Sequence, residues 1–185
     1  GLALVILFCA LSLQIAVNIA NDLFDFRSGV DDPSRLGPPR AALSGWLSVT
    51  ELQTGLILAL ALAVVSGSWL VLQGGWLFAL LGLASIVAAL AYSAGPWPLA
   101  SNGMGEVTVF LFFGLLAVAG SYYLQSQQLP PGVWVAACQM GLLTAAIMLV
   151  NNIRDMESDG RAGKHTLALL LGLPFSRLLY LALVI

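Results

Sequence analysis

The 185-residue chain is 59% hydrophobic and 9% charged, with seven Lys and Arg, nine Asp and Glu, a formal net charge of −2 and one histidine. An average soluble domain has roughly 25% charged residues, so this chain lacks the polar side chains to cover so much apolar mass. Soluble, disordered and nucleic-acid-binding proteins are excluded. What remains is a polytopic α-helical membrane protein, with a mean hydropathy of +0.94 and uncharged runs longer than the roughly 18 residues that mark a membrane span.

Breakers and polar residues divide the chain into six expected spans, at about 1–21, 50–72, 76–93, 105–124, 132–150 and 166–185. The uncharged run 52–105 is too long for one span, and Gln73-Gly74-Gly75 before Trp76 supplies a turn with an interfacial aromatic. Tyr122, Tyr123 and Trp134 flank the polar connection from Gln125 to Gly132. A closed barrel would need ten-residue alternating strands, which are absent from the pattern, so helices satisfy the backbone in lipid. The expected fold class is therefore all-α, a single transmembrane bundle over residues 1–185. Because the chain starts and stops inside apolar runs, it reads as incomplete at both ends. Cys9 and Cys138, far apart in apolar runs, read as small core hydrophobes.

The sixteen charges are unevenly placed. Seven lie between Asp22 and Arg40, six between Arg154 and Lys164, and only Glu51, Glu106 and Arg177 lie elsewhere. With six spans, the connections 22–49, 94–104 and 151–165 share one face of the membrane. That face holds six of the seven basic residues, and the positive-inside rule puts it in the cytoplasm. Both polar islands can then meet.

The first island runs from Asn18 through Asn21, Asp22, Asp25, Arg27 and Gly29 to Asp31 and Asp32. If the helix continues through it, Asn18, Asn21, Asp22 and Asp25 share a face by steps of three and four. Asn151, Asn152, Asp155 and Asp159 repeat this device before Arg161, Gly163 and Lys164. Unpaired carboxylates one turn apart repel, and placing them near a bilayer is costly. Hard oxygen clusters of this kind suit Mg²⁺, which takes one or two carboxylates and completes its shell with water and substrate phosphates. Arg27, Arg35, Arg40, Arg154, Arg161 and Lys164 beside them make a mixed site able to hold a diphosphate. Either island alone could be a solvated loop; two matched islands on one face favour a binding site. A third segment on that face, Tyr92-Ser93-Ala94-Gly95-Pro96-Trp97-Pro98-Leu99 followed by Asn102, Gly103, Gly105 and Glu106, cannot form a regular helix and could roof the site.

These residues resemble the UbiA superfamily of intramembrane prenyltransferases. Asn21-Asp22-x-x-Asp25 and Asp155-x-x-x-Asp159 match its paired aspartate-rich motifs. Within it, Asn21 through Asp31, Gly37-Pro38-Pro39-Arg40, Gly95-Pro96-Trp97-Pro98-Leu99 with Gly105-Glu106, and Asn151 through Asp155 to Gly163-Lys164 are most similar to the 1,4-dihydroxy-2-naphthoate prenyltransferases of menaquinone synthesis. The likeness runs from about Ala16 to Gly172. It implies a bundle of about nine helices around a cavity, with both motifs at its cytoplasmic mouth holding Mg²⁺ and the diphosphate of a polyprenyl donor, and a setting in the bacterial inner membrane. Carried over, the catalytic set is Asn21, Asp22, Asp25, Asp155 and Asp159. The metal ligands are Asp22, Asp25, Asp31, Asp155 and Asp159, and the substrate-binding set is Arg27, Arg40, Tyr92, Asn151, Arg154 and Lys164. Two departures stand out. The family pattern has a further Asp four residues after the Asp25 position, where this chain has Gly29, and Asp31 is the substitute. Hydroxybenzoate-type enzymes carry a Lys four residues after a Tyr, whereas Tyr92 is followed at that spacing by Pro96, which disfavours that acceptor.

The implied reaction is Mg²⁺-assisted loss of diphosphate from an allylic donor. The allylic cation, shielded from water, then alkylates an aromatic acceptor, 1,4-dihydroxy-2-naphthoate, with loss of CO₂. Phe110, Phe112 and Phe113 could line the prenyl path, although packing against core or lipid is the more economical reading. Other acceptors, of the 4-hydroxybenzoate or homogentisate type, are the alternatives within this class. An ion-coupled transporter would place its acids within the spans, and of the charges only Arg177 lies clearly inside one. An alcohol phosphatidyltransferase would keep its acids in one compact motif rather than two.

Overall fold

The computed structural model describes residues 1–29 and 37–185. Among the described residues there is no strand. Helices α1 (Leu2–Ser28), α2 (Val49–Gly74), α3 (Trp76–Ala91), α4 (Gly105–Ser126), α5 (Pro131–Arg154), α6 (Met156–Arg161) and α7 (Leu167–Val184) follow in order. By length and composition, α1, α2, α4, α5 and α7 can each cross a membrane. The third expected span is shorter. Helix α3 has 16 residues, about 24 Å at 1.5 Å per residue, although its last turn runs on through Tyr92 and Ala94, whose N–H groups bond the carbonyls of Ala88 and Leu90 at 2.9 Å each.

Local sequence explains the ends. Gly29 stops α1 in the left-handed region (φ 70°) and returns its N–H to the last turn. A capping box starts α2: the Ser48 hydroxyl accepts from the Glu51 N–H at 3.3 Å, and the Glu51 carboxylate accepts from the Ser48 N–H at 2.7 Å. Gly75 (φ 82°) makes the tight connection to α3, and Pro131 occupies the first turn of α5, where its missing N–H costs nothing.

Small residues set the packing, because lipid supplies no hydrophobic force between helices and close backbone approach must replace it. Ala16, Ala20 and Leu23 of α1 pack against Leu52, Leu56 and Ala59 of α2, with Ala42 from the connecting turn. Helices α4 and α5 cross at Gly114 and Gly141. A Cβ on Gly114 would stand 2.7 Å from the Gly141 nitrogen, and one on Gly141 would meet the Phe110 ring at 2.7 Å. Phe110 is thus a packing residue at this crossing, while Phe113 is exposed. Around the crossing, residues Phe110–Ala119 of α4 wind as a π-helix.

The sixth expected span is interrupted. Gly172 adopts φ 73°, ψ 164° inside α7, two residues before Pro174. The helix restarts beyond this break, and the buried Ser176 hydroxyl donates to the carbonyls of Gly172 at 2.8 Å and Ala168 at 3.3 Å. Arg177, the residue after Ser176, is exposed on the part of α7 beyond the break.

Candidate active site

Helix α1 continues unbroken through the first island, so the steps of three and four hold, but the four polar residues divide their work. Asn18 is exposed, with its amide bonded to the Gln14 carbonyl of its own helix at 2.9 Å. Asp22 is buried, and its two oxygens accept the backbone N–H groups of Ala41 at 2.8 Å and Ala42 at 3.2 Å. It thereby pins the turn at 41–45, and the residue just before that turn, Arg40, reaches back to Asp25 with Nη2 3.5 Å from Oδ2. Both members of that pair are largely buried, at 19% and 15% exposure. Arg27 lies exposed on the last turn of α1. The candidate ligand Asp31, with Asp32 and Arg35, lies outside the described residues.

The second island is a helix, a break and a short helix. Asp155 separates α5 from α6 and takes a two-pronged hydrogen bond from Arg154, Nε to Oδ1 at 2.7 Å and Nη2 to Oδ2 at 2.6 Å. Asp159 closes a loop with Lys164: the ammonium lies 3.4 Å from Oδ1, and the Lys164 N–H bonds the Asp159 carbonyl at 2.9 Å. Gly163, at φ 73°, makes that return possible. Arg161 pairs with Glu157 on the exposed side. Asn151 is partly buried, and its carbonyl accepts the Asp155 N–H at 3.0 Å.

What joins the islands is the 92–106 segment. The Ser93 hydroxyl donates to Asn21 Oδ1 at 2.6 Å, and the Asn152 amide donates to Glu106 Oε1 at 2.8 Å. Between these contacts, the Tyr92 hydroxyl rests on the Met148 sulfur of α5 at 3.4 Å, within electrostatic reach of both Glu106 and Asp25. The segment is itself folded by an Ala100 N–H to Tyr92 carbonyl bond at 3.0 Å, and it is tied to the start of α7 by the His165 N–H on the Ser101 carbonyl at 2.8 Å. All three polar connections thus gather at one end of the bundle. Sequence reasoning placed Asn152 on the second island and Ser93 and Glu106 in the third segment, but gave none of the three a site role. For Glu106 a signal existed, since it is the one charge between Glu51 and Arg154, and an isolated acid in an apolar run demands a partner.

Each of the three described acids Asp25, Asp155 and Asp159 has one of the three candidate bases Arg40, Arg154 and Lys164 against it. Such pairs hold three flexible cations beside the two aspartate segments. As donors for Mg²⁺ the carboxylates have the right hardness, yet among the described residues no three acidic, His or Cys side chains group as a cage. That arrangement fits an ion that uses one or two carboxylates and draws the rest of its shell from substrate phosphate. An apolar cavity of about 600 Å³ opens at the opposite end, between Trp76, Phe78, Leu115, Tyr123 and Trp134.

Over residues 1–185 the chain matches the UbiA prenyltransferase family. It is 42% identical over 178 residues to 1,4-dihydroxy-2-naphthoate octaprenyltransferase of Haemophilus influenzae, covering 91% of this chain and 58% of that protein. It is 40% identical to the protein of the same description in Escherichia coli, covering 92% of this chain and 57% of that protein. A shorter likeness, 44% over 77 residues, links it to human UbiA prenyltransferase domain-containing protein 1, covering 42% of this chain and 23% of that protein. The chain thus spans under three fifths of the length of the two bacterial relatives. Paired aspartate segments at one end of a bundle of apolar helices, with a family model that matches the whole chain and bacterial relatives that match most of it, make this an integral membrane protein that belongs to the UbiA prenyltransferase family.

Proposed function

We propose that the protein transfers a polyprenyl group from polyprenyl diphosphate to 1,4-dihydroxy-2-naphthoate, with release of CO₂ and diphosphate, to give demethylmenaquinol, the reduced form of demethylmenaquinone. The observation that carries this reading is the set of acid–base pairs Asp25–Arg40, Asp155–Arg154 and Asp159–Lys164 at one end of the bundle, with both islands tied to the 92–106 segment. The printed descriptions of the bacterial relatives support the acceptor.

Asp22 fixes the turn that presents Arg40, and Arg40, Arg154 and Lys164 exchange their carboxylate partners for the oxygens of the diphosphate, with Arg27 and Asn151 at the rim. Asp25, Asp155 and Asp159, with Asp31 and Asp22, are the proposed carboxylates for Mg²⁺, which when bound supplies positive charge to the leaving diphosphate. As the allylic C–O bond breaks, its electron pair stays on the diphosphate, and the bases stabilise that charge. The ring carbon bearing the carboxylate forms the new C–C bond, and loss of CO₂ returns the bonding pair to the ring. Tyr92 and the segment behind it cover this event from water. The islands face the cytoplasm in this reading, because basic residues concentrate there.

The test uses membranes containing the protein, labelled polyprenyl diphosphate, and dihydroxynaphthoate or 4-hydroxybenzoate, with Mg²⁺ or with EDTA. Prenylated naphthoquinol formed only with Mg²⁺ is the expected result. Absence of any prenylated aromatic product overturns the proposal.

A further inference from the structure

Glu106 differs from every acid assigned above. It is 5% exposed at the start of α4, and among the described residues no base pairs with it. Its Oε1 accepts from the Asn152 amide at 2.8 Å, and its own backbone N–H lies near the carboxylate, but Oε2 is buried without a hydrogen-bond partner among the described residues. A buried carboxylate oxygen left unpaired is costly, and a native fold retains one where a ligand supplies the missing donor.

The surroundings specify that ligand. A buried carboxyl with no base against it among the described residues has nothing with which to hold a diphosphate, whose place in this reading is with Arg40, Arg154 and Lys164. It suits instead a neutral donor such as the O–H of an aromatic hydroxyl. One phenol already stands at the neighbouring residue: the Tyr92 hydroxyl lies 3.4 Å from the position a Cβ would take on Gly105, the residue before Glu106. Among the described residues that hydroxyl donates only to the Met148 sulfur at 3.4 Å, a weak acceptor, so little holds it in place.

We propose that Glu106, held by Asn152 and covered by Tyr92, is the hydrogen-bond acceptor for a ring hydroxyl of the aromatic substrate. This assignment rests on the prenyl-transfer reading above. The O–H of the acceptor donates to Oε2 once Tyr92 moves off Gly105, and Asn152 keeps the carboxylate aimed. The bound ring then lies between the two aspartate segments, beside the bases that hold the donor.

The experiment compares wild-type protein with Glu106→Gln and Glu106→Asp. Glutamine keeps an oxygen for Asn152 and places an N–H₂ donor where Oε2 was. Binding of dihydroxynaphthoate to the purified protein without donor, followed by fluorescence, should weaken about tenfold or more in Glu106→Gln, with binding of polyprenyl diphosphate within twofold of wild type. Glu106→Asp should recover part of the loss, and in turnover the KM for the acceptor should rise while that for the donor holds. Unchanged acceptor binding in Glu106→Gln, or equal losses for both substrates, overturns the assignment while leaving prenyl transfer intact. A wild-type protein that prenylates no aromatic compound removes both.

Discussion

The two oxygens of Asp22 hold the N–H groups of Ala41 and Ala42 across 19 and 20 residues of chain, so Asp22→Ala tests whether this acid organises the site before it contributes charge. The substitution leaves two donors unpaired, one fully buried and one partly so. At about 1–3 kcal/mol for an unsatisfied buried group, with the partly exposed Ala41 amide at the low end, the turn should lose about 2–4 kcal/mol. A factor of ten per 1.4 kcal/mol makes the amides of the 41–47 turn exchange at least roughly 30-fold faster. Hydrogen exchange read by mass spectrometry on the purified protein in lipid nanodiscs measures this directly. Asp25→Ala, which leaves both bonds in place, serves as the control and should not accelerate that turn. Asp22→Asn, with one carbonyl oxygen left, should fall between. With Arg40 no longer presented, the KM for the prenyl donor should rise in Asp22→Ala, and added Mg²⁺ should not restore it. Unchanged exchange over 41–47, or equal acceleration in Asp25→Ala, would refute the view that Asp22 pins this turn.

Three further outcomes follow from the same geometry. Asp25→Ala and Asp155→Ala should each abolish turnover with the protein still in the membrane, as immunoblotting of the membrane fraction and product assay will report; near-normal activity in either contradicts their role at the diphosphate. Gly114→Ala forces a methyl group to 2.7 Å from the Gly141 nitrogen, so α4 and α5 must separate, at about 1–3 kcal/mol for overpacking; thermal unfolding in detergent should show a clear drop, and an unchanged midpoint counts against the close crossing. Gly172→Ala puts a side chain at φ 73°, ψ 164°, a region of backbone nearly closed to other residues that costs about 1–3 kcal/mol, and should lower the same midpoint without changing which substrate is preferred.

The helices were legible because lipid imposes a single requirement on them, and a run of uncharged residues meets it or does not. Five of the six expected spans correspond to helices long enough to cross, and the ends at Gly29, Ser48 and Pro131 carry ordinary capping signals. The break at Gly172 had a local signal in Pro174 two residues on, which apolar composition across the whole stretch obscured. The bond from Asp22 to a turn 19 residues away had none, since a carboxylate that binds backbone reads the same in sequence as one that binds metal. The 92–106 segment was legible as irregular chain but not as the joint between the islands, because glycine and proline say where a helix ends and not what the loop then touches.

The joint formed by Ser93 on Asn21 and Glu106 on Asn152 spans 72 and 46 residues of sequence, and it dictates an order of assembly. A nascent chain that has delivered α1 and α2 to the membrane holds Asn21, Asp22, Asp25 and Arg40, but no anchor for Asn21. The next hairpin brings Ser93, and only α5 brings Asn152, Arg154 and Asp155. Contacts of such long separation form after local ones, so the two aspartate segments come together late in biosynthesis. A partly inserted chain thus carries the first aspartate segment without its counterpart, and under the proposed function it has no complete site for a lipid diphosphate until α5 is in place.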